Sequence, residues 1–304
     1  MHQSVLLNEA INALIIDPKG CYIDATFGRG GHSLAILEKL QSPGKLLVID
    51  KDPDAINVAK DLQNQGLPIV PIQGSFAHLQ QYVAQHQLTE QISGILMDLG
   101  VSSPQLDIAA RGFSFMREGP LDMRMDPTQG ESAAKWLQSV KEKELADILK
   151  TFGEERMAKI IAKAICEARN IEPIMTTTQL ATIIKQAVPY YEKHKHPATR
   201  TFQAIRIFIN HELDDLTQGL NAALTVLKPG GRLVVISFHS LEDRIVKQWM
   251  RKQEKGETLP IYLPIMAKDI HSHFKIIANI TPSETEIEQN PRARSARMRV
   301  GEKT

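Results

Sequence analysis

The fold of this chain is decided near its N-terminus, where residues 22–32 read Tyr22-Ile23-Asp24-Ala25-Thr26-Phe27-Gly28-Arg29-Gly30-Gly31-His32. An apolar strand pattern runs into a glycine-rich turn, and leucines at helical spacing follow. A second apolar run then ends in Asp50. Glycines let the backbone approach a ligand closely, and an acid at the end of the second strand accepts hydrogen bonds from ribose hydroxyls. The stretch therefore predicts a nucleotide-binding βαβ unit.

Length and composition are those of a sizeable folded protein. The 304 residues are 42% hydrophobic, which indicates a large core and two domains. A net charge of +1 excludes no partner, because charges can still cluster locally. The two cysteines form no disulfide framework, and the sequence shows neither a signal peptide nor a run of about 18 apolar residues. We predict a soluble cytoplasmic protein with no membrane partner.

The first hundred residues alternate between strand-like and helix-like segments. Such alternation is typical of a parallel sheet with helices on both faces. The predicted strands are Cys21–Phe27, Lys45–Asp50, Ile69–Gln73 and Ile92–Leu99, and the predicted helices lie near 32–41, 53–65 and 76–86.

The alternation stops after Ser103-Pro104. Residues 106–130 are irregular, and residues 133–190 carry apolar positions at helical spacing, with Thr176 and Gln179 as a predicted capping box. An all-helical stretch inside an α/β pattern indicates an inserted domain. We predict an insertion over 109–199, with 1–108 and 200–304 forming the main domain.

The α/β pattern resumes after His196-Pro197. Apolar residues spaced by three and four from Phe202 to Leu227 predict one long amphipathic helix. The remaining predictions are a fifth strand over Arg232–Phe238, a helix over 241–252 capped by Ser240 with Asp243, and an antiparallel pair of Phe274–Ala278 with Ala296–Val300.

Two classes of nucleotide fit the glycine turn. A nicotinamide or flavin domain requires G-x-G-x-x-G/A, and residues 28–33 supply only its first part. S-adenosylmethionine needs no pyrophosphate site. It needs backbone near its methionine part, an acid for the ribose, and an apolar slot with a polar edge for adenine. The segments that meet these needs, Asp24 with Gly28–Gly31, Asp50, Gly74-Ser75-Phe76 and Asp98, follow successive strands, and we favour the methyl donor.

Longer motifs lie after the fourth strand, and others lie nearer the C-terminus. They read DLGVSSPQLD (98–107), RGFSF (111–115), GPLDMRM (119–125), HPATRTFQA (196–204), SFHSLEDR (237–244) and NPRARS (290–295). Together they resemble the bacterial small-subunit ribosomal RNA methyltransferase H family, also called MraW, over nearly the whole chain. The resemblance implies a class I S-adenosylmethionine-dependent methyltransferase: a Rossmann-like, mostly parallel sheet with an antiparallel C-terminal strand, and an inserted all-helical domain.

The same resemblance implies an activity and a set of cofactor contacts. The activity is methylation of N4 of a decoding-site cytidine in 16S rRNA, within an assembled or nearly assembled 30S subunit. Carried over motif by motif, the cofactor-binding residues are Gly30, Gly31, His32, Asp50, Phe76, Asp98 and Gln105.

Cytosine N4 is a poor nucleophile, because its lone pair is delocalised into the ring. Acceptors after the fourth strand suit its hydrogens, and the candidate catalytic residues there are Asp98, Ser102 and Ser103. His239 is a candidate for bonding the base or moving a proton, with a turn role as the alternative. Cys21 and Cys166 look structural, which argues against methylation of C5 through a thiolate. Phe113, Phe115 or Trp136 would either stack on the base or belong to the core.

Arginines are the candidate RNA contacts, because a modified base must leave its stack and its phosphates need cationic partners. Their alternative role is internal pairing with Asp107, Asp122 and Asp126. The histidine pairs at 194/196 and 271/273 lack cysteine or carboxylate neighbours, so we predict no metal site. Alternative functions are an N-methyltransferase for DNA or protein, and an rRNA-binding assembly factor. The candidate arginines are Arg111, Arg117, Arg124, Arg200, Arg292 and Arg294, with Lys193 and Lys195 beside Arg200.

Overall fold

The computed structural model describes residues 4–188, 196–256 and 272–304. The chain divides into two compact units, one formed by Met1–Gly100 with Leu213–Thr304 and the other by Val101–Glu212. The second unit extends beyond the predicted insertion, 109–199, at both ends. None of the helices in the described residues is both long and apolar enough to cross a membrane.

The first unit is built on one sheet of seven strands. They are β1 (Cys21–Asp24), β2 (Lys45–Asp50), β3 (Ile69–Gln73), β4 (Ile92–Asp98), β5 (Leu227–Ser237), β6 (Phe274–Ile280) and β7 (Arg297–Lys303). Their order is β3-β2-β1-β4-β5-β7-β6. The first five strands are parallel, and β7 runs antiparallel to both β5 and β6. This confirms the predicted Rossmann-like sheet with its antiparallel C-terminal strand.

The described residues form helices in both units. In the first unit the helices accompany the strands, and the second unit is mainly helical. These helices are α1 (Leu7–Leu14), α2 (Gly31–Lys39), α3 (Pro53–Asn64), α4 (Leu79–Gln85), α5 (Ser103–Asp107), α6 (Ala133–Ser139), α7 (Glu142–Gly153), α8 (Ala158–Ile171), α9 (Thr177–Ala187), α10 (Thr199–Ile209), α11 (Glu212–Val226), α12 (Ser240–Lys255) and α13 (Glu284–Gln289).

The sheet is covered on both faces by apolar cores. Successive side chains of a strand point to opposite faces, so Tyr22 packs into one apolar core and Ile23 into the other. Both side chains are fully buried. Such packing fixes the carboxyl ends of the parallel strands, where ligands of open α/β sheets bind.

The second unit has an apolar core of its own, formed mainly by its helices. Leu145, Ile161 and Leu180, from three different helices, are all fully buried in it. The predicted capping box is confirmed, because Thr176 N donates to Gln179 Oε1 at 2.9 Å and Gln179 N donates to Thr176 Oγ1 at 3.2 Å.

The prediction of one long helix from Phe202 to Leu227 is wrong. The segment forms α10 and α11, and between them His211 takes a left-handed φ of 53°. Asn210 ends α10 by donating to Met123 O at 2.8 Å and accepting from Met125 N at 2.7 Å. The apolar spacing continues across this break, so periodicity alone does not detect it.

Other boundaries also differ from the prediction. β1 ends at Asp24 instead of Phe27, β4 ends at Asp98 instead of Leu99, and β6 and β7 continue to Ile280 and Lys303. The fifth strand begins at Leu227 rather than Arg232, because Leu227 already pairs with Ile92 of β4, and residues 228–231 lie in a register shift before Arg232 pairs with Gly94. The helix after it is capped by His239, with Glu242 as the partner in the capping box, instead of Ser240 with Asp243.

Candidate active site

The glycine turn between β1 and α2 brings bare backbone to the strand end. Gly30 is the N-cap of α2 and has a φ of +79°, which side-chain-bearing residues rarely adopt. A Cβ on Gly30 would lie 2.9 Å from the ring of Phe27, and one on Gly31 would overlap the hydroxyl of Ser4. Close packing within the turn thus requires glycine at both positions, and Gly30 N donates to Phe27 O at 2.8 Å. The start of a helix that follows such a turn suits a polar or anionic group.

Asp50, at the end of β2, is tied to the same turn. Its Oδ2 accepts from Gly28 N at 2.8 Å, and its Oδ1 accepts from Asp52 N at 2.9 Å. Burial raises the pKa of Asp50 to about 6, although these two N–H donors act in the opposite direction. Asp50 thus places a carboxylate, poised to ionise near neutral pH, next to the glycine turn.

Asp24, at the end of β1, is a second buried carboxyl. Ser33 Oγ donates to its Oδ2 at 2.6 Å, and Thr26 N approaches its Oδ1 at 3.2 Å. Burial raises the pKa of Asp24 to about 6. Because Ser33 lies on α2, the Asp24 side chain also holds that helix to the strand end.

Asp98, at the end of β4, is the most perturbed group in this region. Its backbone N donates to Thr26 Oγ1 at 2.7 Å, which fixes the end of β4 against the turn after β1. Burial, followed by the negative charges of Asp24 and Glu242, raises the pKa of Asp98 well above its usual range. Its Oδ1 is buried and has no hydrogen-bond partner among the described residues. A free buried acceptor is costly, so its position at a strand end indicates a ligand.

His32 connects Asp98 to the N-terminal segment. Its Nε2 lies 3.2 Å from the carbonyl oxygen of Val5, which requires a proton on that nitrogen, and its Nδ1 lies 3.5 Å from Asp98 Oδ2. Burial lowers the pKa of His32 to about 4, so the ring is neutral at pH 7. A neutral Nδ1 is an acceptor and pairs with the protonated form of Asp98.

Glu242 is a fourth buried carboxylate at this edge of the sheet, and it was not among the predicted site residues. Its Oε2 accepts from Phe238 N at 2.9 Å and from His239 N at 3.3 Å. The sequence contains a signal for this position, because Glu242 stands three residues after a helix N-cap that follows a strand, where a capping-box glutamate is expected.

His239 takes the turn role that was its alternative. Its Nδ1 accepts from Glu242 N at 3.4 Å, and its Nε2 lies 3.2 Å from Glu242 Oε1 without the geometry of a hydrogen bond. The ring is thus held by its own helix start. Its proposed part in moving a proton stays a prediction.

Phe76 lies after β3, in a short 3-10 turn over Phe76–His78. Ser75 caps this turn by accepting from Ala77 N at 3.1 Å. The Phe76 ring is half-buried and packs on the core below the sheet end. It therefore offers an apolar surface beside the polar end of β2.

Ser102, Ser103 and Gln105 belong to the second unit, where they begin α5. Gln105 is buried, and its Oε1 accepts from Ser102 N at 3.0 Å in a capping box. The structure therefore gives Ser102 and Gln105 a local role at the helix start. Their predicted roles, and that of Ser103, stay predictions.

The candidate arginines fall into two groups. The guanidinium groups of Arg111 and Arg124 make contacts within their own loop. Arg111 donates to Met125 O at 2.8 Å, and Arg124 forms an ion pair with Asp122 at 2.7 Å. Arg200 is half-buried, and Arg117, Arg292 and Arg294 are exposed. Lys193, Lys195, His194 and His271 lie outside the described residues.

The aromatic candidates for base stacking are mostly core residues. Phe113 and Trp136 are buried, at 6% and 8% exposure. Phe115 is half-buried, stacks on His196 with ring centres 4.5 Å apart, and meets Phe202 edge-on. Phe113 and Trp136 thus have the core role that was their alternative.

The strand order and the residues at the strand ends lead to comparison with known proteins. The sequence pattern of the MraW methylase family matches residues 1–304, which is the whole chain. The chain belongs to the MraW methylase family. The protein is therefore a methyltransferase, and S-adenosylmethionine is its methyl donor.

Solved methyltransferases with distant sequences resemble the chain. A candidate rRNA methylase of Clostridium thermocellum is 11% identical, with full coverage of both chains and a TM-score of 0.46. An rRNA methylase of Streptococcus thermophilus is 12% identical, covering 100% of this chain and 98% of that one, with a TM-score of 0.40. A candidate methyltransferase of Streptococcus mutans, in complex with SAH, is 13% identical, with full coverage of both chains and a TM-score of 0.42. The assignment rests on the whole-chain family match.

The residues present fit the methyl donor. S-adenosylmethionine is cationic at its sulfonium and ammonium groups and carries a ribose diol. Asp24, Asp98 and Glu242 offer the negative charge, the unpartnered Oδ1 of Asp98 offers an acceptor, and Asp50 offers a carboxylate for the diol. Burial, followed by the negative charges of Asp24 and Glu242, raises the pKa of Asp98, and a bound cation would favour the ionised form of this carboxyl.

Cofactor affinity is expected to rise with pH through about 6. In the predicted complex, ionised Asp50 accepts from the ribose hydroxyls, and burial raises its pKa in the free protein to about 6. At pH 5 only about one tenth of a group with that pKa is ionised, so the dissociation constant of S-adenosylhomocysteine should be about tenfold higher than its plateau above pH 7. Calorimetry from pH 5 to pH 8 measures this. An affinity that is constant or falls with rising pH would contradict this prediction. In Asp50→Asn the slope of the logarithm of the dissociation constant against pH, below pH 6, should be smaller in magnitude by about one than in wild type.

Proposed function

We propose that this MraW methylase methylates N4 of a decoding-site cytidine in 16S rRNA. The observation that carries the proposal is the buried, unpartnered Oδ1 of Asp98 at the end of β4. An exocyclic amine needs an acceptor for its hydrogens at the point where the methyl group arrives. Asp98 supplies one in the first unit, beside the glycine turn.

The two cysteines support transfer to a heteroatom instead of to C5. The chain has only Cys21 and Cys166, and both are buried. Burial raises the pKa of Cys21 to about 11 and also raises that of Cys166. A C5 mechanism that proceeds through a thiolate nucleophile needs a low-pKa, accessible thiol, and neither cysteine meets that requirement.

Asp98 has a defined task in the N4 reaction. When bound, S-adenosylmethionine would supply a methyl group on a sulfonium, from which a neutral thioether leaves readily. The nitrogen lone pair forms the new N–C bond, the C–S electron pair stays on sulfur, and one N–H proton must leave. Asp98 in its carboxylate form accepts that proton, since its raised pKa makes it a stronger base than an ordinary aspartate. Once Asp98 is protonated, its other oxygen, Oδ2, can donate to the unprotonated Nδ1 of neutral His32, 3.5 Å away.

The RNA target follows from the family resemblance, and exposed arginines are consistent with it. Arg117, Arg292 and Arg294 are exposed to solvent, where phosphates could contact them. Arg111 and Arg124 make hydrogen bonds and an ion pair within their own loop. A decoding-site substrate implies that the enzyme acts on an assembled or nearly assembled 30S subunit, in the cytoplasm.

The proposal is tested by nucleoside mass spectrometry of 16S rRNA from a strain that lacks this gene. We expect N4-methylcytidine to disappear from the decoding site and to return with the wild-type gene but not with Asp98→Ala. Retention of the modification in the deletion strain would overturn the proposal. Restoration by Asp98→Ala would instead support an assembly factor whose binding, not turnover, is required.

A parallel in-vitro assay separates the substrate classes. Purified protein with radiolabelled S-adenosylmethionine should label 30S subunits, while duplex DNA and mixed ribosomal proteins remain unlabelled. Labelling of DNA or of protein alone would replace the proposed substrate with the corresponding class.

A further inference from the structure

Helix α11 contacts the strand ends at which the nucleoside would bind, through two positions one turn apart. Asp215 and Gly219 are half-buried and buried, respectively. Residues four apart on a helix share one face, so both are turned towards the segments that follow β2 and β3.

Asp215 joins those two segments. Its Oδ2 lies 2.6 Å from Lys51 Nζ and also accepts a hydrogen bond from Ser75 Oγ. Lys51 directly follows Asp50, and Ser75 directly precedes Phe76. One carboxylate oxygen therefore couples the residue next to the ribose acceptor with the residue next to the adenine contact. The side chains of Lys51 and Asp215 are only 23% and 15% exposed, so solvent screens the ion pair less than it would at the surface.

Gly219 makes room for the Phe76 ring. A Cβ at this position would lie 2.8 Å from Cε2 of Phe76 and closer still to Cδ2. Glycine costs about 1 kcal/mol relative to alanine inside a helix, so its presence here needs a packing reason. The ring of Phe76 is that reason, because it fills the space that a methyl group would occupy.

We propose that Asp215 and Gly219 are positioning residues for the nucleoside half of S-adenosylmethionine, setting the separation of Asp50 and Phe76 from behind the site. The inference rests on the proposed placement of ribose at Asp50 and adenine at Phe76. Neither residue touches the ligand. Asp215 holds the two segments together, and Gly219 sets how deeply the Phe76 ring sits.

The test is binding of S-adenosylhomocysteine and of adenosine to the full-length protein, measured by calorimetry without RNA. Asp215→Asn keeps the shape but removes the charge, and Gly219→Ala displaces the ring. Each is expected to weaken both ligands by about tenfold, the effect of losing one charge-assisted interaction or shifting one contact. Asp214→Asn and Gln218→Ala, exposed neighbours on the same helix, should stay within about twofold of wild type.

A double-mutant cycle separates positioning from general destabilisation. In a Phe76→Ala background there is no ring to displace, so Gly219→Ala should cause no additional loss of affinity. In a Ser75→Ala background, Asp215→Asn should lose less than it does in wild type. Additive losses in both cycles, or wild-type affinity in Asp215→Asn, would overturn the inference. The cytidine assignment is not at stake, since no RNA is present; failure of the wild-type protein to bind S-adenosylhomocysteine would instead reject the cofactor site itself.

Discussion

Replacing Asp98 by alanine is expected to lower the rate of methyl transfer by at least about a thousandfold, within the range that positioned general bases contribute. The variant loses the only acceptor that the structure leaves buried and unpartnered at the end of β4 among the described residues. Single-turnover transfer of a radiolabelled methyl group to 30S subunits measures the loss. A rate within tenfold of wild type would show that the reaction centre is elsewhere.

The variant Asp98→Asn tests the same role of Asp98 in methyl transfer with less structural change. The amide can donate to His32 Nδ1 and so keeps that contact, but it cannot take a proton. Burial, followed by the negative charges of Asp24 and Glu242, favours the uncharged carboxyl of Asp98 in the ligand-free protein. An amide is uncharged as well, so the thermal midpoint of ligand-free Asp98→Asn should equal or exceed that of wild type, while turnover is lost. Asp61→Asn, exposed on α3, is the matched control and should change neither quantity.

Asp50→Ala is expected to raise the dissociation constant of S-adenosylhomocysteine by about a hundredfold. The substitution removes both proposed acceptors for the ribose diol, and hydrogen bonds to a charged group contribute about 1.5–3 kcal/mol each. It also leaves Gly28 N and Asp52 N without their acceptor, which loosens the glycine turn itself. Calorimetry at pH 7.5, above the pKa of about 6, measures the full effect.

Controls for this prediction distinguish a lost contact from a lost fold. Asp61→Ala should bind as wild type does. Asp50→Asn should fall between wild type and Asp50→Ala, because its amide offers one oxygen to two backbone donors and brings N–H groups of its own. Wild-type affinity in Asp50→Ala would place the ribose elsewhere in the site.

Much of the sheet could be predicted because its signals are local. Strands β2 and β3 have the predicted ends, since an apolar run bounded by turn residues marks a buried parallel strand. Asp24, Asp50 and Asp98 each end a strand, so alternation of strands and helices was enough to bring them to one edge. Their shared site is a consequence of parallel topology and needed no knowledge of side-chain contacts.

Other features depended on residues far apart in the chain. The break at Asn210 exists because that side chain bonds the backbone at Met123 and Met125, and no local pattern records such a partner. His239 could be read equally as a catalytic group or as a turn residue. Only its contacts with the neighbouring Glu242 showed that it caps a helix.

The sequence by itself determined the βαβ unit, the reversed last strand, the family and the acids at the strand ends, because each is written in local periodicity or in a contiguous motif. Tertiary structure alone decided the chemical state of those acids. Burial raises the pKa values of Asp24, Asp50 and Asp98, and nearby negative charges add to the rise at Asp50 and Asp98. The buried Oδ1 of Asp98 has no hydrogen-bond partner among the described residues. Desolvation and charge coupling depend on what surrounds a group in space, and a residue's place in the chain does not specify that.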